Sequence, residues 1–388
     1  KPEDFIGGSQ LNERCRQATG TYIVPEQCGG PGGQIDFLQP TPEPGRMRLW
    51  AYQSIAHGAD GMLHFRWRTC RYGAEIHWHG ILDHDNVPRR RFEEFAQEGA
   101  ELKKIGTDIL GTTKRVEVGI SHSYEQDHAQ GVLSFSRPQP DAQRELLLGT
   151  LMRQKVAVGY VNEADSYAGL KLLIVPSAIV MDASRAEKIE AFVSQGGVLL
   201  VTATSGQRDV NNHAIEQTPP GLLSRVLGIT VEEFGKTEYR RMQLQGAGLE
   251  MDANYYEIIQ CTDAEPLAHW HFEQNPQTEA AEGSVGLSCN EFGAGKAYYL
   301  GTFLNESSAI ELMQRLCDVA DVQPLGRSDT DVCIIERYAA DRRLTFVLNN
   351  YPEPKAVTGL PRGQNILADQ ACDGNLDIEP FGVAVIRS

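Results

Sequence analysis

Two unbroken apolar runs, Leu172-Leu173-Ile174-Val175-Pro176 and Val198-Leu199-Leu200-Val201-Thr202, do most to limit how this chain can fold. A strand without polar alternation is buried on both faces, which points to a parallel sheet with helices on either side. Asp182 is placed to cap a helix between the two runs, which continues through Phe192 and ends at Gly196-Gly197. Val116-Glu117-Val118-Gly119-Ile120 reads as a further strand of this kind. Gly295-Lys296-Ala297-Tyr298-Tyr299-Leu300 reads as a later one, ahead of a helix over Ser307–Val319.

On either side of this α/β stretch the grammar changes. From residue 1 to about 110, strand and helix signals alternate. Thr21-Tyr22-Ile23-Val24 is β-rich. Residues 46–57 set Met47, Trp50, Ala51 and Ile55 at helical spacing, and Gly58-Ala59-Asp60-Gly61 stops that helix. Met62-Leu63-His64-Phe65 is the next strand, and Asn86-Val87-Pro88 is expected to open a helix carrying Phe92, Phe95 and Leu102. This is the rhythm of an α/β barrel or a doubly wound sheet. Beyond about 330 no helix pattern remains. Val332–Tyr338, Leu344–Asn349 and Val383–Ile386 read as strands of a small antiparallel sheet or sandwich. The joints fall near 110–115 and 325–330.

Composition removes several classes of function. Thirty-six Lys and Arg face 52 Asp and Glu, a net charge of −16 over 388 residues, with no basic block. Nucleic acid and anionic lipid are therefore poor partners. No stretch approaches the ~18–20 apolar residues of a membrane span, so a soluble protein is expected. The eight cysteines are scattered without a CxxC pair, which reads as reduced thiols in a cytoplasmic protein and argues against a zinc site. The start, Lys1-Pro2-Glu3-Asp4-Phe5, resembles neither a signal peptide nor a native beginning.

Two stretches carry chemistry. Val24-Pro25-Glu26-Gln27 runs into Gly29-Gly30-Pro31-Gly32-Gly33, so a carboxylate ends a buried strand beside a glycine-rich loop. Barrel enzymes hold catalytic groups at such places, although a solvated loop charge satisfies the same pattern. Phe65-Arg66-Trp67-Arg68 and Gly73-Ala74-Glu75-Ile76-His77-Trp78-His79-Gly80 mix Trp, His, Arg and Glu in loops. Indole stacks on a pyranose face and charged groups bind hydroxyls, so a sugar would suit them. Ion pairs closing a barrel seam are the alternative. His77 and His79 with Glu75 could also be read as metal ligands.

These stretches, with Pro42-Glu43-Pro44-Gly45-Arg46-Met47-Arg48-Leu49-Trp50 and Ile55-Ala56-His57-Gly58-Ala59-Asp60-Gly61, resemble the glycoside hydrolase family 42 β-galactosidases. The resemblance is dense from about 21 to 95 and looser beyond. It implies an α/β architecture in three parts. Residues 1–112 would be the end of a (β/α)8 TIM barrel. Residues 113–327 would be a glutamine-amidotransferase-like α/β domain with a parallel sheet, used in trimer contacts. Residues 328–388 would be the small antiparallel β domain. It also implies retaining hydrolysis of a small β-galactoside by two carboxylates, without a redox cofactor or a metal held by this chain. Glu26 matches the nucleophile and Glu75 a residue that binds galactose hydroxyls; Arg66, Trp78 and His79 join them as substrate-binding candidates. Two positions depart from the family: Gln34 stands where relatives often have Trp, and Trp78, with His79 next to it, where they often have His.

The general acid has no match. In the family it is the Glu of an Asn-Glu pair several βα units before the nucleophile. Asn12-Glu13 lies only 13 residues before Glu26, too few for even one βαβ crossover of ~30 residues, and is expected on an exposed helix. Asn290-Glu291 and Asn305-Glu306 fall in the second domain. Since a whole barrel takes ~250 residues, the chain is expected to be the carboxyl-terminal part of an enzyme and inactive alone. Glu26 is expected to face a sugar-sized cavity beside Glu75 and Arg66. In the second domain, Ala203-Thr204-Ser205-Gly206 lacks a nucleophile elbow, so that domain reads as an oligomer-forming module. The alternative to the enzyme is a non-catalytic assembly or sugar-binding fragment.

Overall fold

The computed structural model describes residues 5–34, 37–132, 140–236, 242–272, 281–328 and 332–388, and the side chains of Gln34 and Pro140 lie outside that description. The chain forms two units, Lys1–Arg115 with Pro324–Ser388, and Val116–Gln323.

The first unit begins with helix α1 (Phe5–Thr19), strand β1 (Tyr22–Cys28) and a small hairpin, β2 (Gly33–Gln34) with β3 (Phe37–Leu38). Helix α2 (Arg46–His57), strand β4 (Ala59–Phe65), helix α3 (Arg90–Ile109) and strand β5 (Thr113–Lys114) follow. β1 and β4 run parallel, joined by α2, as a βαβ unit requires. α2 is buried almost all round, from Met47, Leu49 and Tyr52 to Ile55 and His57, and Gly58 ends it. α3 starts at Arg90, not at the Asn86-Val87-Pro88 signal. Asn86 adopts a left-handed φ of 62°, and a residue before proline is steered to extended backbone, so those three residues stay outside the helix.

α1 also differs from expectation. Glu13 is fully buried rather than exposed, because its face of the helix packs on α2. It accepts from Lys114 Nζ at 2.6 Å and Arg16 at 2.7 Å, and lies 2.6 Å from His57 Nδ1.

The second unit opens with β6 (Val118–His122), α4 (Tyr124–Val132), α5 (Pro140–Arg153), β7 (Val158–Asn162), β8 (Leu172–Val175), α6 (Ala183–Ser194) and β9 (Val198–Thr202). α7 (Ser224–Leu227) leads into six strands, β10 (Ile229–Lys236), β11 (Met242–Gly246), β12 (Leu249–Ala253), β13 (Tyr255–Cys261), β14 (Glu265–Phe272) and β15 (Val285–Phe292). β16 (Gly295–Leu300) and α8 (Glu306–Val319) close it. The strands β16, β9, β8, β6 and β7 are mutually parallel, the arrangement expected from their apolar runs. The sequence reading left out the antiparallel extension through β15, β14, β11 and β12, with β10 and β13 alongside. Asp182 caps α6 by accepting from the Arg185 N–H at 2.9 Å. Leu173, Val175, Leu199, Val201, Ala297 and Tyr299 form its core with α6 and α7.

The chain returns to the first unit with β17 (Cys333–Ala339), β18 (Arg342–Leu348), β19 (Lys355–Thr358), β20 (Gly363–Asn365), β21 (Gln370–Cys372), β22 (Asn375–Ile378) and β23 (Val383–Arg387). Six strands pair antiparallel in the order β21-β20-β23-β18-β17-β5. Arg337 on β17 is buried and donates to the carbonyls of Ile55 at 2.6 Å and Thr112 at 2.9 Å, and to Asp60 at 2.9 Å. Among the described residues no helix is long and apolar enough to cross a membrane.

Candidate active site

The site grows from an irregularity in β1. Val24 pairs with Met62 and Gln27 with His64, so Pro25 and Glu26 together oppose the single residue Leu63. Proline has no N–H to give to the ladder, and a bulge there re-aims the following side chain. Glu26 is exposed and has no hydrogen-bond or ion-pair partner among the described residues. The expected enclosing cavity is therefore not closed around it: two parallel strands make one piece of wall, and Ile23 and Leu63 are likewise 63% and 57% exposed.

The loop after Glu26 is locked against the loop after β4. The Gly29 N–H donates to Phe65 O at 2.9 Å and the His79 N–H to Pro31 O at 3.0 Å. A Cβ on Gly30 would stand 2.6 Å from the His79 carbonyl, and one on Gly33 2.6 Å from that of His77, so backbone meets backbone where only glycine fits. The glycine run thus brings the segment His77–Gly80 beside the carboxyl end of β1.

Arg66 opens that second loop after a cis Phe65–Arg66 peptide bond. Its guanidinium lies 4.4 Å from the centre of the Phe65 ring and forms an ion pair with Glu75. Glu75 is 43% exposed and uses one oxygen for Arg66. Trp78 is half-buried, edge-on to Phe37 at 6.0 Å and Phe65 at 6.3 Å. The ring of His79 is 2.7 Å, through Nδ1, from Asp83 Oδ1, which also accepts from Arg91. Arg66, Glu75, Trp78 and His79 thus share one loop assembly packed on the Glu26 loop. Arg68 and Trp67 belong elsewhere: Arg68 donates to His84 O at 2.8 Å, and Trp67 rests on Phe92 and Phe95 of α3. The metal reading fails on geometry, since Asp83 takes His79, Arg66 takes Glu75, and His77 is exposed. Asp83 and Arg91 were missed by the sequence reading; the i, i+4 spacing of His79 and Asp83 was the available signal.

The remaining Asn-Glu pairs have structural uses. Asn290 donates to Val226 O at 3.0 Å, and Asn305 caps α8 by accepting from the Ser308 N–H at 3.0 Å. Ser205 is fully buried, accepting from the Ala178 N–H at 3.1 Å and donating to Thr202 O at 2.8 Å, so it offers no accessible nucleophile.

Glu26 near the carboxyl end of β1, and the Arg66–Glu75 pair in the loop after β4, lie on the carboxyl-end side of two parallel strands, the side on which (β/α) barrel folds in general carry catalytic groups. Three family models cover most of the chain: "Beta-galactosidase" over residues 9–105, "Beta-galactosidase trimerisation domain" over 116–323 and "Beta-galactosidase C-terminal domain" over 331–388. The chain belongs to the glycoside hydrolase family 42 β-galactosidase family. It is 28% identical to beta-galactosidase BgaA of Clostridium cellulovorans over 94% of this chain and 55% of that protein. It is 29% identical to beta-galactosidase BgaB of a Geobacillus species over 94% of this chain and 54% of that one. It thus spans about half the length of the curated relatives it matches. In fold it is similar to the crystal structure of a beta-galactosidase from Bacillus circulans sp. alkalophilus, with a TM-score of 0.90 at 24% identity, over 99% of this chain and 58% of the other.

Proposed function

We propose that this chain is the carboxyl-terminal part of a retaining β-galactosidase in which Glu26 is the nucleophile. The observation that supports the reading is the lock between the Gly29–Gly33 loop, which follows Glu26, and the segment His77–Gly80, which follows Glu75. The Glu26 carboxylate is the group that would attack an anomeric carbon, giving a galactosyl ester that water then opens. Glu75, oriented by Arg66, accepts hydrogen bonds from galactose hydroxyls. Trp78 offers an apolar edge and His79 a ring nitrogen. The acid that protonates the leaving oxygen must sit ~5–5.5 Å from the nucleophile, and it is assigned to the barrel segment that the longer relatives carry. The second unit is assigned to self-association, as a glutamine-amidotransferase-like trimer module, and the protein to the cytoplasm.

The test is covalent labelling. In the full-length gene product, a 2-deoxy-2-fluoro-galactosyl inhibitor should add its mass to the peptide containing Glu26, and Glu26→Gln should abolish both labelling and turnover. Label on another carboxylate overturns the assignment of the nucleophile. The 388-residue chain alone should show no turnover on a chromogenic galactoside; turnover removed by Glu26→Gln would refute the fragment reading.

A further inference from the structure

We infer that Asp83, braced by Arg91, is a positioning residue that fixes the tautomer of His79 and presents Nε2 of that ring as a hydrogen-bond acceptor for a sugar hydroxyl. The inference rests on the galactoside reading of the site and adds to it which atom reads a hydroxyl, and in which direction the proton points.

The argument starts with Asp83. Burial by itself would raise its carboxyl, but the hydrogen bonds from His79 and Arg91, with the Arg91 charge, outweigh it and hold the group below the ordinary aspartate range. The carboxylate is thus ionised at neutral pH, and an ionised carboxylate only accepts. In the 2.7 Å contact between His79 Nδ1 and Asp83 Oδ1 the ring must therefore donate. A neutral imidazole that carries its proton on Nδ1 has a lone pair on Nε2. That nitrogen has no hydrogen-bond partner among the described residues, and the His79 side chain is 26% exposed.

Arg91 makes the arrangement rigid. It donates to Asp83 Oδ1 and, through Nε, to Gly80 O at 3.1 Å, so one guanidinium ties the carboxylate to the backbone next to His79. Arg89 adds a second positive group, 3.6 Å from Asp83 Oδ2. The backbone of His79 is held independently by its N–H bond to Pro31 O at 3.0 Å, in the loop that follows Glu26. Ring, backbone and counter-carboxylate are all fixed before a ligand arrives, which is what a directional acceptor needs. A hydroxyl donating to Nε2 would be selected over a group that can only accept.

Long-range 1H–15N correlation of histidine-labelled 388-residue chain tests the tautomer directly. His79, assigned by its loss in His79→Gln, should show, in the neutral ring, a protonated Nδ1 and a bare Nε2. Asp83→Asn, whose amide can donate as well as accept, should release that preference, and Asp83→Glu should keep it. A protonated Nε2 in the unsubstituted chain overturns the proposal without any need for a variant to fold. In the full-length gene product, Asp83→Asn should raise KM for an aryl galactoside about tenfold, the worth of one hydrogen bond, with kcat changed far less. His79→Gln should do the same, and the double variant should lose no more than either alone. Additive losses, or a loss confined to kcat, would overturn the role. The tautomer is read without turnover, so failure of the hydrolase reading, seen as turnover indifferent to Glu26→Gln, stays distinct from failure of this one.

Discussion

His57 Nδ1 lies 2.6 Å from Glu13 Oε1, with both side chains fully buried, while Nε2 of the same ring lies 2.9 Å from Ser9 Oγ. Serine, histidine and glutamate so aligned have the spacing of a hydrolytic triad, but no solvent reaches them and Gln53 also donates to the hydroxyl at 3.0 Å. The arrangement is a structural brace between α1 and α2, and it makes the first unit sensitive to acid.

Burial pushes His57 down from 6.5 to about 4, with Lys114 adding to the effect and the Glu13 hydrogen bond opposing it. The unfolded chain takes up that proton near pH ~6.5 and the folded one only near ~4, so stability is full above this window and falls as pH drops through it. The loss is about 3 kcal/mol across the window. Glu13 acts in the same direction at lower pH. Burial would raise its carboxyl, but Arg16, Lys114 and His57 hold it well below 4.5, and that stabilisation goes as pH falls further. Urea unfolding from neutral pH down to pH ~4 should show this slope. His57→Gln should flatten it, and an unchanged slope in that variant would remove His57 as its source.

Gly30 should not tolerate a side chain. An alanine Cβ there would meet the His79 and Gly80 carbonyls at 2.6 and 3.0 Å, and backbone cannot rotate away as a flexible side chain can. Gly30→Ala is expected to cost about 1–3 kcal/mol and to speed hydrogen exchange at the His79 amide, which donates to Pro31. Gly73→Ala is the comparison for a glycine in open space, although its φ of 91° adds strain of its own. Unchanged exchange at His79 in Gly30→Ala would show that the two loops are not locked as described.

What the sequence made legible follows from how each element is stabilised. β9 and β16 fall on the residues named from their apolar runs, and α2 on its periodic positions, because burial alone decides them. β10 to β15 escaped notice because they lean on neighbours rather than on a continuous apolar run. Met242-Gln243-Leu244-Gln245 and Leu249-Glu250-Met251-Asp252 do alternate, and the alternation matches their burial. In β10, by contrast, Glu232, Glu233 and Phe234 are all exposed in succession, and no pattern marks a strand. Around the candidate site, Glu26 and Glu75 are proposed from their motifs. For Asp83 the only signal was its i, i+4 spacing from His79, and the link to Arg91, eight residues on, is made by the folded loop.

Tyr299 carries a second brace, inside the other unit. Its hydroxyl donates to the fully buried Glu257 at 2.6 Å, and that carboxylate also accepts from Tyr255 at 3.1 Å and from the Thr204 N–H at 2.9 Å. Thr204 sits at the turn after β9 with a left-handed φ of 70°, a costly backbone for a β-branched residue. Tyr299→Phe leaves the volume intact and removes one hydrogen-bond donor from a buried carboxyl group, so it should cost about 1–3 kcal/mol. Differential scanning calorimetry should show the loss in the transition that contains the second unit. An unchanged transition would mean that Glu257 is satisfied without it.

Ile23 offers the sharpest contrast between this chain and a longer one. At 63% exposure it gains little from folding here, and beside Leu63 it leaves an apolar stripe along the β1/β4 pair. Ile23→Thr should therefore leave the stability of the 388-residue chain within about 0.5 kcal/mol, while reducing binding of an apolar dye. In the full-length gene product the same position would be covered by the rest of the barrel, and losing a buried isoleucine there costs about 1.5–3 kcal/mol. Chemical denaturation of both proteins, with and without the substitution, measures the difference. Equal small effects in the two would mean that nothing in the longer protein packs over this face, and the barrel reading of the first unit would go with it.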